Sequence, residues 1–145
     1  MEGKFINYYS RKINYYETDA MKIVHHSNYI RWFEEARIDF LEKAGYPYSR
    51  MEENGIMIPV LSASCQYKNA MHYGQTFRIE SQLTAFGGAK FSVEYEVYDN
   101  DTDTLCVTGN TSHCFVNMDF RPVRIKRDFP EIFNAFNDRF EYHRN

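Results

Sequence analysis

Residues 16–29 read Tyr-Glu-Thr-Asp-Ala-Met-Lys-Ile-Val-His-His-Ser-Asn-Tyr. One carboxylate, Asp19, two adjacent imidazoles, His25 and His26, and the onset of an apolar-periodic run share this segment. A carboxylate on a loop activates water as a general base or attacks an electrophile itself. A helix start supplies unpaired backbone N–H groups and the positive end of the helix dipole, which a developing oxyanion needs. An Asp in such a loop also serves as a turn or cap residue, so type and spacing leave both roles open.

The remaining chemistry-bearing residues are less well arranged. His25 and His26 are adjacent, point in different directions and lack a nearby array of Cys or carboxylates, which speaks against a metal site. Ser112-His113-Cys114 has the residue types of nucleophilic catalysis, but neighbours on a strand face opposite ways. No Gly-x-Ser-x-Gly elbow occurs. Cys65, Cys106 and Cys114 are odd in number, widely spaced and form no CxxC pair. They read as reduced, buried thiols of a cytoplasmic protein.

The elements that must hold this segment follow from periodicity. Residues 5–17 read as a strand with bulk on both faces, followed by a polar, kinked stretch over 18–27. From 28 to 44 the period changes: Tyr29, Phe33, Ala36 and Phe40 recur at helical spacing, and Ile30, Trp32, Leu41 and Ala44 widen the stripe. Ser27 or Asn28 is the expected cap, and Gly45 stands where a left-handed residue ends a helix. Four further strands are expected at 56–68, 75–86, 89–99 and 104–118. The third alternates cleanly, with Phe91, Val93, Tyr95 and Val97 against Lys90, Ser92, Glu94 and Glu96, so one face is wet. Gly87-Gly88 and Asp99-Asn100-Asp101 mark tight turns. Asp128-Phe129-Pro130-Glu131 opens a last helix, with Asp as cap and Pro in the first turn. The fold class is α+β: a curved five-stranded antiparallel sheet wrapped around one long helix, plus a short C-terminal helix.

Composition agrees with a single domain over 1–145. Aromatic residues make up 17% of the chain, with 12 Tyr and 12 Phe, which favours sheet. The net charge of −3 argues against nucleic acid or an anionic membrane as partner. No stretch is apolar enough for a membrane span, and the first residues lack the apolar core of a secretory leader.

Asp19 through Tyr29, followed by Arg31-Trp32-Phe33-Glu34 and Ala36-Arg37, resembles the 4-hydroxybenzoyl-CoA thioesterase-like branch of the hotdog-fold acyl-CoA thioesterases. The family pattern is an Asp, a Gly three residues on, a hydrophobic pair, aromatic or His positions, Asn-Tyr, then aromatic-Glu and Ala-Arg on the helix. The resemblance implies hydrolysis of an acyl-CoA or acyl-carrier-protein thioester, with no cofactor and no metal. It implies Asp19 as the catalytic carboxylate and His26 as the catalytic position whose backbone N–H binds the thioester carbonyl, with Ser27 and Tyr29 beside the substrate. One departure stands out: Lys22 occupies the Gly position, where positive φ is expected. Lys22 either disturbs the loop or adds a positive charge for the substrate.

Lys68, His72, Arg78, Lys90 and Arg124 are candidates for CoA phosphates, with Lys90 the first choice among them. Glu34 is an alternative base, because another hotdog branch carries a catalytic Glu on this helix. Arg37 is expected in an internal ion pair. Two competing functions share the fold: a non-catalytic acyl-binding or scaffold module, and a hydroxyacyl-thioester dehydratase. The partner expected is a second copy of the chain, as homodimer or homotetramer. Exposed sheet edges invite such pairing, with the 60–67 strand of one copy facing Asp19 of the other.

Overall fold

The computed structural model describes residues 5–144. Strand β1 spans Asn7–Lys12, helix α1 Ser27–Lys43 and helix α2 Tyr48–Glu53. Strands β2 (Val60–Tyr67), β3 (Thr76–Phe86), β4 (Lys90–Asp99) and β5 (Thr104–Cys114) follow. Helices α3 (Ile125–Asp128) and α4 (Pro130–Arg144) close the chain. The strands form one antiparallel sheet in the order β1-β3-β4-β5-β2. This is the architecture anticipated from the sequence.

The sheet curls around α1 because its inner face and the helix stripe are both aromatic. Trp32 stacks on Phe77 at 4.1 Å and Phe33 on Tyr95 at 4.2 Å, with ring planes within 13° and 7° of parallel. Gly109 on β5 lets the Phe33 ring come this close: a Cβ there would sit 2.6 Å from that ring and 2.6 Å from the Ser64 carbonyl oxygen. Buried residues of β4 alternate with exposed Lys90, Glu94 and Glu96, as the pattern predicts. At the far end of the sheet α4 inserts Ile132 and Phe136, and Phe136 packs on Phe40, Phe91 and Phe115.

Several boundaries differ from expectation. β1 ends at Lys12, because its partner β3 begins at Thr76. The chain then turns through a 3₁₀ segment, Tyr15–Glu17. β2 begins only at Val60: Pro59 has no N–H to give a ladder, and Met57 instead bridges Val116. β5 ends at Cys114, and Val116 makes isolated bridges to Met57 and Pro122. Helix α2 was not anticipated; it is too short for periodicity to announce, though Met51 is fully buried. Asp128 does not cap α4. It lies in α3, and its carboxylate accepts from Arg127 at 2.8 Å. Ile30, expected on the buried stripe, is 38% exposed.

Candidate functional site

The segment between β1 and α1 folds back on itself. Thr18 and Val24 pair as an isolated bridge, the Asp19 N–H donates to the Ile23 carbonyl at 2.8 Å, and the Lys22 N–H donates to the Asp19 carbonyl at 2.9 Å. The side chain of Asp19 reinforces the turn: Oδ1 accepts from the N–H groups of Met21 (2.8 Å) and Ile23 (3.2 Å). Both oxygens are thereby oriented, yet Oδ2 has no partner among the described residues. Asp19 is therefore both the turn residue and a carboxylate with one oxygen to spare.

Lys22 resolves the departure noted in the sequence. Its φ is +63°, the left-handed conformation that Gly adopts freely and a lysine does not. The loop thus keeps the geometry that a Gly would give, and its carbonyl accepts the Tyr73 N–H at 3.1 Å. The Lys22 side chain is exposed.

Helix α1 opens on His26, which has no side-chain cap. The His25 N–H donates to the Glu17 carbonyl at 2.9 Å, the Ser27 N–H to His25 Nδ1 at 3.2 Å and the Asn28 N–H to the His25 carbonyl at 3.0 Å. Among the described residues this leaves the His26 N–H without an acceptor. Neither Ser27 nor Asn28 caps the helix by its side chain. The Ser27 hydroxyl is 2.8 Å from His25 Nδ1, and Asn28 Nδ2 donates to the Glu17 carbonyl at 2.8 Å. The two imidazoles do not diverge: their rings stack at 4.3 Å, because the chain is turning here rather than extended.

Asp19, His25, His26 and Tyr29 line one open cleft of about 330 Å³ with Tyr67 and Lys68 from the end of β2. Tyr67 stands over Tyr29 at 5.6 Å and over His26 at 6.3 Å. Burial, followed by the nearby Cys106 and Cys65 thiols, pushes the Tyr29 phenol well above its ordinary pKa, so it stays neutral. Tyr67 was expected opposite Asp19 only as part of a second copy's 60–67 strand, whereas here the chain's own Tyr67 lines the cleft. Only its place at the end of a strand that returns to the helix start could have indicated it.

The other candidates lie elsewhere. Lys90 begins β4 at the opposite end of the sheet. The ten residue steps of β3 from Thr76 to Phe86 put about 33 Å between that end and the β1 end that leads to Asp19. Glu34 does not line the cleft; with Arg37 it borders a separate apolar cavity of about 80 Å³ between α1, β3 and α4. Arg37 makes no ion pair among the described residues. It donates to Tyr95 Oη at 3.1 Å, and the Tyr95 hydroxyl is 2.7 Å from Thr111 Oγ1. Ser112, His113 and Cys114 share no catalytic contact. His113 is wholly buried, with Nε2 2.7 Å from Thr111 Oγ1. No helix among the described residues is long and apolar enough to cross a membrane.

Comparison with known proteins shows the family of the chain. The model of the thioesterase-like superfamily matches residues 13–136. A relative from Aquifex aeolicus with a provisional esterase name is 42% identical over 108 residues, covering 74% of this chain and 83% of its own. A Bacillus subtilis relative, provisionally named an acyl-CoA thioesterase, is 32% identical over 126 residues, covering 86% of this chain and 91% of its own. The crystal structure of the Staphylococcus aureus DHNA-CoA thioesterase superposes with a TM-score of 0.87 at 30% identity, over 92% of this chain and 89% of that one.

Proposed function

Because the chain belongs to the thioesterase-like superfamily and is a thioester hydrolase of the hotdog fold, we propose that it cleaves acyl-CoA thioesters in the cleft between Asp19 and His26. One observation carries this reading. Asp19, whose Oδ2 has no partner among the described residues, and His26, whose N–H has none among them, line the same cleft, which supports a base and an oxyanion donor acting together.

In the reaction the thioester carbonyl oxygen accepts the His26 N–H. Asp19 Oδ2 either takes a proton from the attacking water or adds to the carbonyl itself. In the first route water adds to the carbonyl, the C–S bond breaks, the thiolate takes up a proton and the carboxylic acid leaves. In the second the C–S bond breaks as an Asp19–acyl anhydride forms and the thiolate takes up a proton; water then cleaves the anhydride to release the acid and restore the Asp19 carboxylate. After a single turnover in ¹⁸O-water, label in the Asp19 carboxylate identifies direct attack with the anhydride cleaved at the Asp19 carbonyl, which the general-base route cannot give. The dipole of α1 and the N–H supply the charge stabilisation that accelerates acyl transfer. Lys22, exposed on the same loop, supplies a cation for the substrate's phosphates.

Assembly completes the site. β2 is an edge strand whose residues are almost all exposed, with Val60 and Leu61 about half accessible. Such an edge pairs with another strand or aggregates. Two-fold antiparallel pairing of β2 with its copy joins the sheets. It also carries the partner's hairpin end to the end of the sheet where Asp19 lies. Lys90 of the partner subunit then stands two strands in from the shared edge, about 10 Å away. The role of Lys90 as a phosphate ligand therefore belongs to the neighbouring chain.

The oxyanion role is tested by His26→Pro. His26 has φ −57°, which suits proline, so the change deletes the free N–H with little backbone distortion. Losing one such donor lowers kcat by about 10²-fold, while His26→Ala, which keeps the N–H, stays close to wild type. Equal activity in both variants contradicts the assignment.

A further inference from the structure

Glu17 is 4% exposed, and its carboxylate accepts four hydrogen bonds among the described residues. Arg11 donates to both of its oxygens, Nη1 to Oε1 at 2.9 Å and Nη2 to Oε2 at 2.7 Å. The Asn14 N–H donates to Oε1 at 2.8 Å, and Trp32 Nε1 donates to Oε2 at 2.7 Å. One side chain thereby ties β1, the 3₁₀ turn and α1 together. Burial alone would raise the carboxyl's pKa; the donors from Arg11, Trp32 and Asn14 outweigh it and hold Glu17 ionised.

Its main chain works at the same place. The Glu17 carbonyl accepts the His25 N–H at 2.9 Å and Asn28 Nδ2 at 2.8 Å. The first of these bonds fixes the residue just before the free His26 N–H. The second fixes the first turn of α1. One residue further along, Thr18 joins Glu17 to Asp19 and bridges Val24. The base and the oxyanion donor are therefore both referenced to Glu17.

Arg11 is itself held from the other side. Its Nε and Nη2 donate to Glu35 at 2.7 and 2.9 Å, and Tyr9 Oη donates to Glu35 Oε1 at 2.7 Å. The guanidinium lies 4.9 Å from the Phe77 ring centre and 5.7 Å from that of Trp32. These groups, with Glu17, are the charged and titratable ones that meet in the network. A buried charge with this many well-placed partners keeps one geometry, because any other leaves it unpaired.

We propose that Glu17 is the positioning residue of the hydrolytic site, fixing the spacing of Asp19 and the His26 N–H without touching substrate. This rests on the reading of Asp19 and His26 given above. Trp32 is the chain's one tryptophan and donates to Glu17, so its emission reports this carboxylate directly.

The test is Glu17→Gln, which keeps the shape but turns an amide NH₂ toward a donor. Its expected signature is a folded protein with kcat lowered by about 10²-fold, the cost of a displacement near 1 Å, and KM nearly unchanged. Amide hydrogen exchange over 25–28 speeds by at least about tenfold as this segment opens locally, and Trp32 emission shifts. Asp19→Asn abolishes hydrolysis yet leaves emission and exchange as in wild type. If Glu17→Gln does not fold, Trp32→Phe removes one of the four donors and is expected to raise exchange over 25–28 more modestly. Wild-type exchange over 25–28 in the folded variant overturns the inference, as does wild-type kcat. A wild-type protein that hydrolyses no thioester overturns the functional reading instead, and the exchange comparison still decides the role of Glu17.

Discussion

Asp19 and Lys22 close one turn: the Lys22 N–H donates to the Asp19 carbonyl at 2.9 Å while Lys22 is held at φ +63°. The lysine occupies a conformation that costs a non-glycine residue about 1–2 kcal/mol. The strain lies within the loop that presents the proposed base. It is stored where function supplies a reason to keep a side chain.

The first prediction separates strain from charge at this position. Lys22→Gly and Lys22→Ala both delete the ammonium, but only alanine keeps the strain. Glycine is expected to be the more stable of the two by about 1 kcal/mol, or a melting temperature about 3 °C higher. With Lys22 at φ +63°, Lys22→Gly is expected to change stability as well as activity. A rise in KM common to both variants measures the ammonium. Equal melting temperatures contradict the strain.

Gly109→Ala tests the packing that seats α1. The added Cβ meets the Phe33 ring and the Ser64 carbonyl oxygen, each at 2.6 Å. The ring can move, but the Ser64 oxygen is main chain. Destabilisation in the range of about 1–3 kcal/mol is expected, and Phe33→Leu added to it restores only part of the loss. Chemical denaturation measures both variants, and an unchanged midpoint in Gly109→Ala refutes the close approach.

His113 gives the stability curve an acid slope. Burial first, and then the Arg37 charge, push its pKa down from 6.5 to about 4. The unfolded chain therefore takes up the proton before the folded one does. The stability His113 protects is complete above pH 6.5 and is lost progressively as pH falls toward 4. Between pH 7 and pH 5 this amounts to about 2 kcal/mol. In His113→Asn that part of the slope is absent; a variant as steep as wild type locates the effect elsewhere.

How much of this was legible in the sequence depends on the kind of signal. Phe91, Val93, Tyr95 and Val97 alternate so regularly that β4 and its wet face could be read directly. The α1 stripe was equally plain in Tyr29, Phe33, Ala36 and Phe40. What could not be read was conformation set by contact. The chain leaves β1 at Lys12 because its antiparallel partner β3 begins only at Thr76, and nothing in Ile13 or Tyr15 says so. In the site, Asp19 and His26 were visible as residue types near a helix start. Their free oxygen and free N–H depend on which amides others had already taken. Nothing in the sequence singled out Glu17, since its partners Arg11 and Trp32 lie on two other elements.

Assembly makes a prediction of its own. Leu61→Lys places a charge on the exposed β2 edge, where strand pairing is proposed. The variant is expected to be monomeric by light scattering and to lose activity with its partner's contribution. Mixing Asp19→Asn chains with chains bearing Lys90→Glu is expected to regenerate one intact site per mixed dimer. A wild-type monomer with full activity contradicts the shared site.

The central claim is that Asp19 drives thioester cleavage at this cleft. The direct measurement is free thiol release from a panel of aryl, short-chain and medium-chain acyl-CoAs by wild type and by Asp19→Asn. The account predicts turnover of at least one acyl-CoA by wild type, and a fall in kcat of at least about 10²-fold in a folded Asp19→Asn protein, the low end for loss of a general base. Turnover by Asp19→Asn within a few-fold of wild type on the same substrate would contradict it.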